Sequence, residues 1–223
     1  MHVQSGLLKG IPGLKHGFGT RAENVPSSVE PFWHQAHPSW KQVHGIQYIE
    51  VTSALQKCGE TDALITFQRG IPVAVVTADC VPVLLARKNG GACAAIHAGW
   101  RGTLAGAVDE VLKELRSRGE KISDWVAAIG PAIGPCCYEV SEELAGDFAT
   151  KFAELPRQLI SPSFRKLDLP AIHEARLKGA GLFAVDLLRA CTQCSGGASN
   201  PTFHSFRREK NSNRQYSGLV FEF

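Results

Sequence analysis

Apolar runs dominate the middle of the chain, and their periods predict its elements. IQYIEV (46–51) alternates apolar and polar positions with the two-residue period of a strand. DALIT (62–66) and IPVAVVTADCVPVLLAR (71–87) are β-branched and apolar, which predicts buried strands, with a break or bulge at Pro82. KNGG (88–91) then leads into ACAAIHA, so a hairpin should turn at Asn89-Gly90-Gly91. From Arg101 to Gly119 the period changes. Leu104, Val108, Val111, Leu112 and Leu115 recur at helical spacing, and Gly119 suits a C-cap. DWVAAIG predicts a strand ended by the turn PAIGPCC. SEELAGDFATKF predicts a helix capped by Ser141, and Asp168 to Gly179 a second one. FAVDLL, FHSF and YSGLVFEF read as strands. The stretch from Arg21 to Trp40, rich in Pro, Ser, His and aromatic residues, reads as a long loop. Hairpins mixed with helices predict an α+β fold with at least one mostly antiparallel sheet covered by helices. No repeat or linker interrupts the pattern, so one domain is expected over residues 1–223.

Composition narrows the function classes. The net charge of +3, with no Lys/Arg block, gives no reason to expect a nucleic-acid partner. The N-terminal stretch lacks the apolar core of a signal peptide, and no segment is long enough for a membrane span. A cytoplasmic chain without a membrane partner is expected. The seven cysteines are odd in number, which favours reduced thiols over a disulfide scaffold. Cys58 and Cys93 are expected to be small buried hydrophobes.

Candidate chemistry lies where polar residues interrupt the apolar runs. His44 in KQVHG, Cys80 in TADC and His97 in AAIHAGWRG each sit beside a turn or break. Two imidazoles and a thiolate are donors that zinc prefers, and three protein ligands leave a fourth position open, as in catalytic sites. The separations of 36 and 17 residues carry no zinc-finger signature. The residues also admit structural readings: His44 capping a turn, Cys80 packing, His97 satisfied in the core. A metal-free reading makes Cys80 a nucleophile, His97 its base and Asp79 or another polar group the orienter.

The arginines offer anion sites. In HAGWRG a helix start lies beside Arg101, which suits an anion or else is a tight turn with a solvated side chain. SFRREKNSNRQ gathers Arg207, Arg208 and Arg214 as a second anion site or a solvated loop, and Arg21 closes HGFGTR. CTQC (191–194) has the C-x-x-C form but no strand leading in as in thioredoxin-like motifs. Adjacent cysteines seldom ligate one metal, so Cys136 and Cys137 read as structural or cleft-lining.

HGFGTR, KQVHG, DALIT, TADCVPVLL, AAIHAGWRG, IGPAIGPCCYEV, DL, CT and SFRREKNSNRQ occur in an order that resembles the YfiH-like, laccase-domain (multicopper polyphenol oxidase-type) family. The resemblance covers nearly the whole chain, and TADCVP followed by HAGWRG is highly specific. It implies a four-layer α/β/β/α sandwich related to the cytotoxic necrotizing factor deamidases. It implies zinc on His44, Cys80 and His97. It also implies phosphorolysis of adenosine, inosine, guanosine and methylthioadenosine, with adenosine deamination beside it. The expected partners are therefore a purine nucleoside and phosphate, with the chain a monomer or weak homo-oligomer. Copper-dependent phenol oxidation and peptidoglycan-precursor editing have also been attached to the family. The segment between Arg21 and His44 departs from the family pattern: a glycine pair is missing and the segment is shortened, so substrate contacts from it do not carry over.

These implied activities can be weighed against the residues. Eight histidines without an H-x-H pair do not supply a multicopper cluster. Zinc on two His and one Cys can activate water for deamination. Phosphorolysis needs cations around phosphate, for which Arg21, Arg101, Arg207, Arg208 and Arg214 are the candidates. Asp79, beside Cys80, has three candidate roles: general acid, partner of a ligand, or fixer of the turn.

Overall fold

In a computed structural model that describes residues 2–223, two β-sheets pack face to face. The larger runs, in spatial order, β10 (Ala184–Leu187), β9 (Trp125–Ile129), β7 (Val81–Arg87), β8 (Cys93–Ala98), β5 (Ala63–Thr66) and β3 (Tyr48–Glu50). Its central strands are antiparallel, and each outermost strand is parallel to its neighbour. The smaller sheet is antiparallel throughout: β1 (Leu14–Phe18), β11 (Gln215–Phe221) and β6 (Val73–Thr77). A short parallel pair, β2 (Ser39–Lys41) and β4 (Lys57–Glu60), stands apart from both.

The unbroken apolar runs follow from burial on both faces. Along β7, Val81, Val83 and Leu85 face the helices while Leu84 and Ala86 face the other sheet. On the helix side they meet Val108, Val111, Leu112 and Leu115 of α4 (Ala107–Ser117), Phe148 of α5 (Glu142–Lys151) and Ile172 and Leu177 of α7 (Leu169–Gly179). Between the sheets, Leu84, Ala95 and Val126 meet Phe18, Val73, Val75, Leu219 and Phe221. Ala74 and Val220, on the outer face of the small sheet, are covered by Val29 and by Trp33 of α2 (Glu30–Ala36). The layers are thus α/β/β/α, as the family resemblance implied. Short helices also occur at α1 (Gly6–Lys9), α6 (Arg157–Ile160) and α8 (Phe206–Glu209).

Four expectations need correction. The stretch from Arg21 to Trp40 is not all loop. It holds α2 and the start of β2, because Val29, Trp33 and Ala36 recur at helical spacing over the small sheet. The run 71–87 breaks at Ala78-Asp79-Cys80, not at Pro82, since β6 and β7 belong to different sheets. Pro82 lies within β7 opposite His97, beyond the last residue pair with β9, where a missing N–H is tolerated. The helix expected from Arg101 is two helices, α3 (Trp100–Ala105) and α4, divided at Gly106, whose φ of 91° takes the left-handed region open to glycine. FHSF is a turn in which Ser205 caps α8. The hairpin at Asn89-Gly90-Gly91 and the Ser141 cap are as expected. No helix among the described residues is long and apolar enough to cross a membrane.

Candidate active site

The crossing between the sheets makes the site. The chain leaves β6 at Thr77 and enters β7 at Val81, and Asp79 between them has φ 93°, a strained value for a residue with a side chain. Cys80 therefore stands at the head of β7, beside His97 near the end of the neighbouring β8. His44 reaches the same point from the turn between β2 and β3, with a left-handed φ of 61°. The donor atoms of His44, Cys80 and His97 all lie within 4.8 Å of one another, so this group is one that could hold a metal ion. The two imidazoles meet edge to face with centroids 4.8 Å apart.

One residue that the sequence reading passed over holds both histidines. Asp62, fully buried at the head of β5, accepts from His97 Nδ1 at 2.7 Å. The same carboxylate accepts from the backbone N–H groups of His44 (2.9 Å), Gly45 (2.7 Å) and Val43 (3.2 Å). It thus clamps the turn that carries His44. It also commits His97 Nδ1–H to itself, leaving Nε2 to face Cys80. The signal available in the sequence was an acid leading directly into the buried run ALIT. Space is equally fixed. A Cβ at Gly99 would lie 3.0 Å from Cys80 Sγ and 3.2 Å from His44 Cδ2, and one at Gly102 would lie 3.1 Å from the Gly45 carbonyl. The glycines of HAGWRG let α3 start against the two side chains.

The electrostatics follow from this packing. Burial by itself would raise the Cys80 thiol, but hydrogen bonds with His44 and His97 and their charge bring it down to about 6. Burial disfavours the His97 imidazolium, but hydrogen bonds to Asp62 and Cys80 outweigh that and raise it to about 9. The pair is thus set toward thiolate and imidazolium.

The group opens into a cavity of about 720 Å³, a size suited to a small organic substrate. Trp100, Ile133, Tyr138 and Phe206 give it apolar and aromatic walls. Of the five arginines singled out in the sequence, Arg101, Arg207 and Arg214 line it, joined by Lys210, which the sequence reading passed over. Arg21 and Arg208 are not in this lining. Arg21 pairs with Glu209, and Arg208 donates to the carbonyls of Thr192 (3.0 Å), Gln193 (2.7 Å) and Phe203 (2.5 Å). Asp79 lines the cavity with both oxygens engaged: Oδ1 accepts from Thr192 Oγ1 at 2.6 Å, and Oδ2 from the Arg207 backbone N–H at 2.7 Å. It ties the start of α8 to the sheet crossing. Thr77 also belongs to the lining, and its buried hydroxyl has no hydrogen-bond partner among the described residues.

A second group lies outside this cavity's lining. Cys136, Cys137, Cys191 and Cys194 bring their sulfurs within 4.8 Å of one another, so the adjacent pair, read from the sequence as structural or cleft-lining, joins CTQC in one cluster. Cys58 and Cys93 are buried as expected.

A four-layer sandwich with a His/Cys/His group at its sheet crossing defines the class to which known proteins can be compared. Residues 22–222 match the family model described as multi-copper polyphenol oxidoreductase laccase, and the chain belongs to this YfiH-like, laccase-domain family. A Shigella flexneri protein named purine nucleoside phosphorylase YfiH is 34% identical over 197 residues, 88% of this chain and 75% of that protein. A protein of an unknown prokaryotic organism, named adenosine deaminase RL5, is 35% identical over 164 residues, 71% of this chain and 61% of that protein. The crystal structure of Neisseria meningitidis protein NMB0706 superposes with a TM-score of 0.80 over 95% of this chain and 96% of that one, at 25% identity.

Proposed function

We propose that the chain is a cytoplasmic, zinc-dependent purine nucleoside phosphorylase that cleaves adenosine, inosine, guanosine and methylthioadenosine, with adenosine deamination as a second activity. The observation that carries this reading is one cavity that combines the His44/Cys80/His97 group, four cationic side chains and aromatic walls. The names of the relatives support it. The donor set suits zinc: an imidazole held by a carboxylate, a thiol already drawn toward thiolate, a second imidazole, and room for a fourth ligand. When bound, zinc supplies Lewis acidity and lowers the pKa of water at its open position, which is what deamination requires.

The chain's own residues do the rest. In phosphorolysis a phosphate oxygen bonds to C1′ of the ribose as the bond from C1′ to the purine breaks, and the departing base takes up a proton. Arg101, Arg207, Lys210 and Arg214 hold the phosphate against C1′. Tyr138 and Phe206 flank the nucleoside. Asp79 is a positioning residue that holds the backbone of Arg207. Pure protein incubated with adenosine or inosine should release free base and ribose 1-phosphate only when phosphate is present. Neither base, nor sugar phosphate, nor deaminated product would refute the reading.

The Cys80–His97 pair, its thiol lowered and its imidazole raised, with Asp62 behind it, also favours a second reading, a metal-free cysteine hydrolase or amidase. That enzyme would be inactivated by iodoacetamide and indifferent to chelators. The zinc enzyme would lose activity to chelators and regain it with the metal.

A further inference from the structure

The four-cysteine cluster belongs to two turns far apart in the sequence. Cys136 and Cys137 follow β9 in the turn Gly134–Tyr138, and Cys191 and Cys194 follow β10 in CTQC. A parallel bridge between Ala132 and Cys191 joins the turns, with the Thr192 N–H donating to the Ala132 carbonyl at 3.0 Å. The sulfurs of Cys136 and Cys194 are 3.7 Å apart, and all four lie within 4.8 Å of one another. Four thiolates on one zinc at about 2.3 Å stand about 3.8 Å from each other in a tetrahedron. The cluster therefore has the span of a mononuclear centre.

A hydrogen bond at the sulfur also ties the two turns together. Cys191 Sγ accepts from the Gly134 N–H at 3.3 Å. Cysteine binds a metal as the thiolate, and this sulfur has a backbone donor beside it. Four cysteines complete a tetrahedral shell with no open position, the mark of a structural site.

We propose that Cys136, Cys137, Cys191 and Cys194 form a second metal site, a tetrathiolate centre that takes one zinc ion. Its effect on the molecule follows from what the two turns carry. The first turn ends in Tyr138, which lines the cavity. The second supplies the Thr192 hydroxyl that bonds Asp79 and the Thr192 and Gln193 carbonyls that hold Arg208. Zinc here clasps one wall of the cavity to the turn that braces Asp79. It takes no part in the reaction, and it stands whether or not the chain cleaves nucleosides.

The test uses the full chain, reduced and held under anaerobic conditions, with zinc alone as the probe. Alkylation of each cysteine is followed by mass spectrometry with and without zinc. Zinc should slow modification of Cys136, Cys137, Cys191 and Cys194 together by roughly ten-fold or more, reversibly by chelator. Equal rates with and without zinc overturn the proposal. A second measurement separates this site from the other: a His44→Ala/His97→Ala variant should still bind one equivalent of Co²⁺ with an intense thiolate-to-cobalt charge-transfer band. Adding Cys191→Ser and Cys194→Ser should abolish that band. Its absence from a folded His44→Ala/His97→Ala variant, or its persistence in the quadruple variant, also overturns the site. The alkylation experiment needs no substitution and decides the matter where a variant does not fold.

Discussion

The two His/Cys groups are held in opposite ways. His44, Cys80 and His97 gather at the joint between two packed sheets, braced by a fully buried carboxylate and opening on a cavity. The four cysteines gather in surface turns, two of them exposed, held together by a bridge and a few backbone hydrogen bonds. The first geometry is set by the core before any ion arrives. The second depends on short turns, so an ion there contributes order instead of using it. A three-donor group with an open side suits chemistry, and a closed four-thiol group suits support.

The largest expected break in this comparison comes from Asp62→Ala. It leaves the buried His97 Nδ1 and three backbone N–H groups of the partly exposed turn 43–45 without their acceptor, and should cost about 3–5 kcal/mol of unfolding free energy in a denaturant titration. Metal retained at the His/Cys/His group should fall with it, roughly 10–100-fold in affinity. Alkylation of the four cysteines in the folded variant should not change.

His44→Ala acts on the same group without touching the core. Bound zinc measured by elemental analysis should drop, and phosphorolysis should fall by about 100-fold or more, while far-ultraviolet circular dichroism stays native. Retained activity in a metal-depleted His44→Ala protein would favour the metal-free hydrolase.

Acid tests the frame that carries both groups. Burial lowers His16 to about 4, with His2 adding to it, and burial lowers His173 to about 4. Both are neutral in the fold, whereas in the unfolded chain they titrate near 6.5. Above that pH they cost nothing. As pH falls from 6.5 toward 4 the unfolded chain takes up protons that the fold does not, so stability should decline across this window, by up to about 3 kcal/mol for each histidine, and level off below it. Replacing His173 with a neutral residue of similar volume should flatten the decline in chelator-treated protein. An unchanged slope would show that His173 is not its source.

Smaller effects should sort the cations. Arg207→Ala should raise the KM for phosphate by roughly ten-fold. Arg21→Ala, outside the cavity lining, should leave it unchanged. Equal effects of the two would put the phosphate elsewhere.

The elements built on local pattern were legible. The runs of β5, β7, β8 and β9 are almost wholly apolar because helices cover one face and the second sheet the other, and a chain carries that requirement along its length. His44, Cys80 and His97 were legible as polar interruptions of such runs. What failed were features set by partners distant in sequence. Pro82 looked like the break, yet the chain changes sheet three residues earlier, at Asp79, because the small sheet ends there. Helix α2 was hidden in a Pro- and Ser-rich stretch, since its short apolar face acquires meaning only against Ala74 and Val220.

The sequence by itself therefore determined the period of each element, the polar residues that interrupt the core, and the family. The tertiary structure alone decided which of them meet. It put Asp62 behind His97, separated Arg207 and Arg214 from Arg208, and brought Cys136 and Cys137 onto Cys191 and Cys194. The physical reason is range: periodicity and capping act over a few residues, whereas a ligand set or a charge clamp is a relation in space that a strand register or a sheet crossing creates.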